Sequence, residues 1–254
     1  MGAPGRYIHI PFCRSKCHYC HFYSLTSLAP LPDFLKALVG EMKIYRTEFN
    51  RFDTIYIGGG TPTVLPVKDL GVIMAEAAKT FTIDAHAEVT LEANPADLDL
   101  PGLKALKGMG INRINLGIQS FDDNVLTFLG RRHNCRQAIL ALETAEKARF
   151  ENMGLDLIYG VPGQSLAAWT DTLCLALSFN PAHLSCYQLT VEAGTPLAVR
   201  QQKGEILLPD EESLADFFFK TSEIIEKAGY VHYEVANFAR NAGLQARHNQ
   251  KYWD

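Results

Sequence analysis

No apolar run in this 254-residue chain approaches the roughly 20 residues that span a bilayer as a helix, and no secretory leader is recognisable. Basic runs are missing too. Lys and Arg total 24 against 28 Asp and Glu, a formal charge of −4, so electrostatics give no case for nucleic acid or an anionic membrane. Six cysteines are too few for a disulfide framework at this length, which points to metal chemistry in a reducing cytoplasm. Low-complexity linkers and short repeats are also lacking. What remains, 47% hydrophobic and 20% charged, fits a globular chain of one large α/β domain or two small ones.

The cysteines present are unevenly placed. Cys13, Cys17 and Cys20 are spaced C-x3-C-x2-C, directly after Tyr7-Ile8-His9-Ile10. Three thiolates can hold three corners of a [4Fe–4S] cube and leave the fourth iron open. A four-cysteine cluster mainly carries electrons, whereas an open coordination position can bind and activate a ligand. The same residues could bind structural zinc, with His9, His18 or His21 as fourth ligand. Local spacing leaves both readings open. Cys135, Cys174 and Cys186 read as small core residues.

β-Branched or aromatic runs alternate with helical patterns. Strands are expected at Tyr7–Ile10, Thr54–Ile57, Ala87–Glu92, Arg113–Ile118, Gly154–Tyr159 and His183–Thr190. Helices are expected at Asp33–Phe49, Asn134–Ala148 with Asn134 as N-cap, Ser165–Ser178 and Pro209–Ala228. Six β/α units imply an open six-stranded parallel (β/α)6 barrel, a partial TIM barrel, with a doubly wound sheet as the alternative. A final strand, Tyr233–Phe238, and an irregular tail complete the expected order.

Unusual residues fall at the C-terminal ends of these strands, the rim on which such barrels build active sites. Gly58-Gly59-Gly60-Thr61-Pro62 follows the second strand, where residues without Cβ would let backbone groups meet a ligand. Glu92 ends the third and could accept from ribose hydroxyls. Gln119 and Ser120 follow the fourth. Asp156, within an apolar fifth strand, needs a partner if buried; Arg131 is a candidate partner for a carboxylate. Gln188 and Thr190 close the sixth. His183 and His232 read as ordinary polar residues.

The order of motifs resembles the radical S-adenosylmethionine (SAM) family: the cysteine triplet, Gly58-Gly59-Gly60-Thr61-Pro62, Glu92-Ala93-Asn94-Pro95, Leu116-Gly117-Ile118-Gln119-Ser120-Phe121 and Asp156-Leu157-Ile158-Tyr159-Gly160. More narrowly it is similar to the group holding oxygen-independent coproporphyrinogen III oxidases and HemW-type haem chaperones. The resemblance implies a [4Fe–4S] cluster on Cys13, Cys17 and Cys20. SAM would be chelated at the open iron and cleaved reductively to a 5′-deoxyadenosyl radical. Carried over by motif, Tyr7, Gly59, Gly60, Thr61, Glu92, Gln119, Arg131 and Asp156 would line the SAM region, with Gln119, Arg131 and Asp156 serving a second ligand site as in the oxidase.

Phe22 stands where the oxidase pattern has a fourth cysteine, and only 12 residues precede Cys13. The tail Arg247-His248-Asn249-x2-Tyr252-Trp253 is similar to the H-N-x-x-Y-W motif of the chaperone group. His248 would then ligate or flank haem iron, with Tyr252 and Trp253 offering ring faces. The resemblance therefore implies a haem chaperone with cluster and SAM. It would deliver haem to acceptor haemoproteins, respiratory enzymes among them, draw on an electron donor and meet membranes peripherally through the acceptor. The alternative is a radical SAM enzyme that decarboxylates a porphyrinogen or transfers a methyl group. Residues 1–240 would form the core and 241–254 the start of a C-terminal region that family members normally continue.

Overall fold

Alternation within the strands decides the architecture. In the computed structural model, which describes residues 3–253, the parallel strands are β1 (Gly5–Ile10), β2 (Arg51–Gly59), β3 (Thr82–Ala93), β4 (Arg113–Gln119), β5 (Asn152–Tyr159) and β6 (His183–Gln188). Ile55 and Ile57, Val89 and Leu91, Ile114 and Leu116, and Leu155 and Leu157 point to one face and are almost wholly buried in the main apolar core. The intervening positions, such as Tyr56, Glu92, Asn115, Asp156 and Ser185, face a cleft. A strand has period two, so one face is apolar and covered while the other is polar and concave.

Helices α1 (Leu31–Ile44), α2 (Val67–Thr80), α3 (Leu100–Gly108), α4 (Asp123–Leu129), α5 (Cys135–Lys147), α6 (Leu166–Ser178), α7 (Pro196–Gln202) and α8 (Glu211–Lys227) follow the strands. Asn134, the expected N-cap, forms a full capping box with Gln137, and Ser165 caps α6 through the Ala168 N–H. Helix α1 stops at Ile44 rather than Phe49, and residues Tyr45–Thr47 tighten into a 3₁₀ turn. Trp169 of α6, fully buried, donates its indole N–H to Thr221 Oγ1 of α8 at 2.8 Å and ties these two helices together.

The strands run in sequential order across one sheet, without the reversal that defines a doubly wound fold. The six parallel strands expected from sequence are present, and the sheet does not close on itself. The expected final strand is instead a hairpin of β7 (Val231–His232) and β8 (Asn237–Ala239), with β8 antiparallel to β6. The break has a local cause: the Tyr233 hydroxyl lies 2.7 Å from His183 Nε2 and the Glu234 carboxylate accepts from the Ala236 N–H, which turns the chain. A short helix, α9 (Arg247–Gln250), then crosses the N-terminal ends of β2 and β3 and floors the concave face. Among the described residues no helix is long and apolar enough to cross a membrane.

Candidate functional site

The concave face opens into a cavity of about 650 Å³. Its mouth holds Cys13, Cys17 and Cys20, all partly exposed free thiols. Gly59, Gly60, Thr61 and Glu92 form one wall, while Gln119, Arg131 and Asp156 lie on the other strands' rim. Ten of the twelve site residues expected from sequence therefore share one cavity; Tyr7 and His248 are not among its lining.

The cysteine loop is braced by three contacts on two helices. The His18 N–H donates to Leu129 O at 3.1 Å, His18 O accepts from the Leu197 N–H at 3.0 Å, and the His18 ring Nδ1 lies 2.9 Å from Phe128 O. Gly130, at φ +72°, sits under that ring where an added Cβ would come within 3.0 Å of it. His18 thus fixes the loop on α4 and α7. His9 is likewise engaged, with Nδ1 3.2 Å from the Tyr7 hydroxyl and Nε2 3.0 Å from Tyr23 O. Among the described residues no three His, Cys, Asp or Glu side chains converge as a single ion would demand.

The glycine turn's donors are engaged within the protein. Its N–H groups are already taken: Gly59 donates to Glu92 Oε2 at 3.0 Å, Gly60 to Ile10 O at 2.9 Å and Thr61 to Phe12 O at 2.7 Å. A Cβ on Gly60 would stand 2.6 Å from Phe12 O and 2.7 Å from Ile10 O; one on Gly58 would strike the Glu92 carboxyl. The missing side chains let the turn press against the cysteine loop and Glu92. Thr61 Oγ1 also lies 3.4 Å from Cys13 Sγ.

Glu92 also accepts from the Tyr56 hydroxyl at 2.8 Å. Burial raises its pKa to about 7, neighbouring Asp156 adds to the shift, and the Tyr56 and Gly59 hydrogen bonds oppose it. Asp156 is also held above the usual carboxylate range by burial, against hydrogen bonds from Asn115, 2.7 Å away, and Ser185. Asn115 and Ser185, on the flanking strands, are thus the hydrogen-bond partners that Asp156 needs; neither is conspicuous in sequence. Among the described residues Arg131 makes no carboxylate pair: it donates to Gly117 O at 2.7 Å and to Cys17 Sγ at 3.3 Å, and its buried Nε has no hydrogen-bond partner. Gln119 adopts a left-handed φ of +67°, a costly conformation for a residue with a side chain, at the point where β4 leaves the sheet.

The tail is not an open lobe. His248 is 4% exposed, its Nδ1 is 2.9 Å from Thr54 Oγ1 and its Nε2 is 3.4 Å from the Tyr252 hydroxyl. Burial and nearby Lys251 lower its pKa to about 4. The sequence expectation is that His248 would ligate or flank haem iron; here its Nδ1 faces Thr54 and its Nε2 faces the hydroxyl of exposed Tyr252. Tyr252 and Trp253 are exposed, and Asn249 reaches the cavity. Thr54, Glu88, Arg113 and Asn115, which the sequence reading passed over, face inward. The signal for them was polar residues at alternate positions of strands otherwise apolar.

A polar concavity with a three-cysteine mouth on a partial β/α barrel defines a class, and the chain belongs to the radical SAM superfamily, whose model matches residues 7–176. It is 39% identical to the "Heme chaperone HemW" of Synechocystis sp., over 97% of this chain and 61% of that protein. To the protein of the same name in Bacillus subtilis it is also 39% identical, over 97% of this chain and 66% of the relative. The chain thus spans less than two thirds of these relatives. The solved structure of coproporphyrinogen III oxidase (HemN) from Escherichia coli, described as a radical SAM enzyme, superposes with a TM-score of 0.83. That match has 26% identity and covers 94% of this chain and 56% of that one.

Proposed function

We propose that this chain carries the cofactor-binding core of a haem chaperone, which binds haem and passes it to acceptor haemoproteins. The observation that supports this best is the repeated likeness, at 35–39% identity across nearly the whole chain, to proteins named heme chaperone HemW in Synechocystis, Bacillus subtilis and Escherichia coli. Cys13, Cys17 and Cys20 would hold a [4Fe–4S] cluster. When bound, such a cluster with an open iron supplies one electron to a chelated sulfonium ligand.

The chain's own groups have distinct tasks. Arg131 donates to Cys17 Sγ and leaves its Nε free toward a ligand carboxylate. Glu92, held by Tyr56 and Gly59, presents its carboxyl to SAM ribose hydroxyls. Asp156 and Gln119 line the deeper part of the cavity with Asn115. Apolar helices on the outer face and α9 on the floor leave the mouth as the entry for ligands. Acceptor haemoproteins, respiratory enzymes among them, an electron donor and a reducing cytoplasmic setting belong to the same proposal, as does peripheral membrane association through the acceptor.

The structural likeness to the coproporphyrinogen III oxidase favours a second reading, porphyrinogen decarboxylation. Against it stands Phe22, exposed on the cysteine loop where that pattern calls for another cysteine. The test is haem titration of the anaerobically reconstituted protein, followed by transfer to an apo-haemoprotein, alongside turnover of coproporphyrinogen III. Stable haem binding with transfer and no turnover is expected. A loaded cluster with turnover and no haem binding overturns the chaperone reading.

A further inference from the structure

The contacts that seat residues 247–251 suggest a task for the tail motif other than iron ligation. Glu88, reaching up from β3, accepts the Arg247 N–H at Oε2 and the His248 N–H at Oε1, both at 3.1 Å. The Arg247 guanidinium donates to His86 O at 2.8 Å and Asp53 O at 3.0 Å, while Lys251 pairs with Asp53 at 2.9 Å. On β1, Gly5 leaves room for the tail: a Cβ there would stand 2.6 Å from Thr54 Oγ1, 2.8 Å from Lys251 Cδ and 2.9 Å from His248 Nδ1.

So seated, the His248 ring stacks on Tyr56, with centroids 5.1 Å apart and planes at 27°. The Tyr56 hydroxyl donates to Glu92, and the other oxygen of that carboxylate takes the Gly59 N–H. A continuous line of contacts therefore joins Thr54, His248, Tyr56, Glu92 and Gly59, from the floor of the sheet to the turn behind the cysteine loop. A phenol hydroxyl lies in its ring plane, so whatever fixes the ring face fixes where the hydroxyl points. Among the described residues, Tyr56 and Gly59 are the groups that hold the Glu92 carboxylate.

We propose that His248 is a positioning residue for the SAM site, acting through Tyr56 on Glu92, and that the tail segment 247–251 is the clamp that keeps it there. This rests on the reading of Glu92 as the acceptor for SAM ribose hydroxyls. The tail motif and the SAM site are then one unit: displacing the tail weakens SAM binding while the cluster ligands, on the far side of the glycine turn, stay in place.

The experiment measures SAM affinity by calorimetry on the cluster-loaded protein, with iron content and haem titration on the same samples. His248→Ala is expected to weaken SAM binding roughly tenfold, the scale of one hydrogen bond to a charged group, with iron content and haem binding unchanged. His248→Phe keeps a stacked ring and should retain most of the affinity. Tyr56→Phe should match His248→Ala, and the two together should be no worse than Tyr56→Phe alone, because they break one chain of contacts. Gly5→Ala, which crowds the tail from outside the cavity, should weaken SAM in the same direction and stands in if His248→Ala fails to fold. Unchanged SAM affinity in His248→Ala, additive losses in the double variant, or loss of haem with SAM binding intact overturns the proposal. If the wild-type protein loads its cluster and binds no SAM, it is the underlying reading of the cavity that falls.

Discussion

Removing the carboxylate of Glu88 should be among the most destabilising single changes in this chain. Glu88 is 7% exposed and Arg113, whose Nη1 lies 3.9 Å from Glu88 Oε2, is 2% exposed. The same carboxylate takes the first two N–H groups of α9, which otherwise lack intrahelical partners. Glu88→Ala leaves a buried guanidinium with two long, neutral hydrogen-bond contacts, Asn152 Oδ1 at 3.3 Å and Leu244 O at 3.4 Å, and with Asp156 as its remaining anionic neighbour. Breaking one side of a buried pair costs about 3–5 kcal/mol. At about 2–4 °C per kcal/mol for a chain of this size, that is a fall of roughly 6–20 °C in Tm. Glu88→Gln keeps one acceptor oxygen and loses the charge, and should fall between. Replacing both partners, Glu88→Leu with Arg113→Met, should cost less than Glu88→Ala, because no buried charge is left uncompensated. The assay is urea unfolding at neutral pH followed by circular dichroism. A Glu88→Ala loss below about 1 kcal/mol, or a double variant worse than the single, would refute the claim that this pair anchors the floor.

Two further changes probe the cleft. Glu92, with its folded pKa raised to about 7 from 4.5, holds its proton more tightly when folded, so stability should fall as pH rises through that window. Across it, the metal-free wild-type protein should lose up to about 3 kcal/mol relative to Glu92→Gln. His133 and His248, both lowered to about 4, shift stability the opposite way below pH 6.5 in both proteins, so the comparison with Glu92→Gln isolates the carboxyl. Parallel pH profiles of the two proteins' urea midpoints would rule this out. Gly60→Ala puts a methyl against two backbone carbonyls that cannot rotate away, Phe12 O and Ile10 O. It should cost about 1–3 kcal/mol and reduce iron bound per chain after reconstitution; full iron loading with unchanged Tm would show that the turn does not set the cysteine loop.

What the sequence determined by itself is local and periodic. Strand runs such as Arg113–Ile118 and Gly154–Tyr159 and the Asn134 and Ser165 caps depend on nearest neighbours and on period, and they survive folding almost to the residue. The cysteine spacing and the glycine run are equally visible, because their chemistry is concentrated in a few adjacent positions. Tertiary structure decided the rest. Asn115 and Ser185 matter because the parallel register lays them beside Asp156 from neighbouring strands, and no window of sequence contains all three. The glycine N–H groups looked free for a ligand until β1 and Glu92 were packed against them. His248 is nearly 200 residues from its partner Thr54 along the chain, by a separation of 194. A histidine in a motif can ligate a metal or stack in a core, and only the burial supplied by distant strands chooses between them.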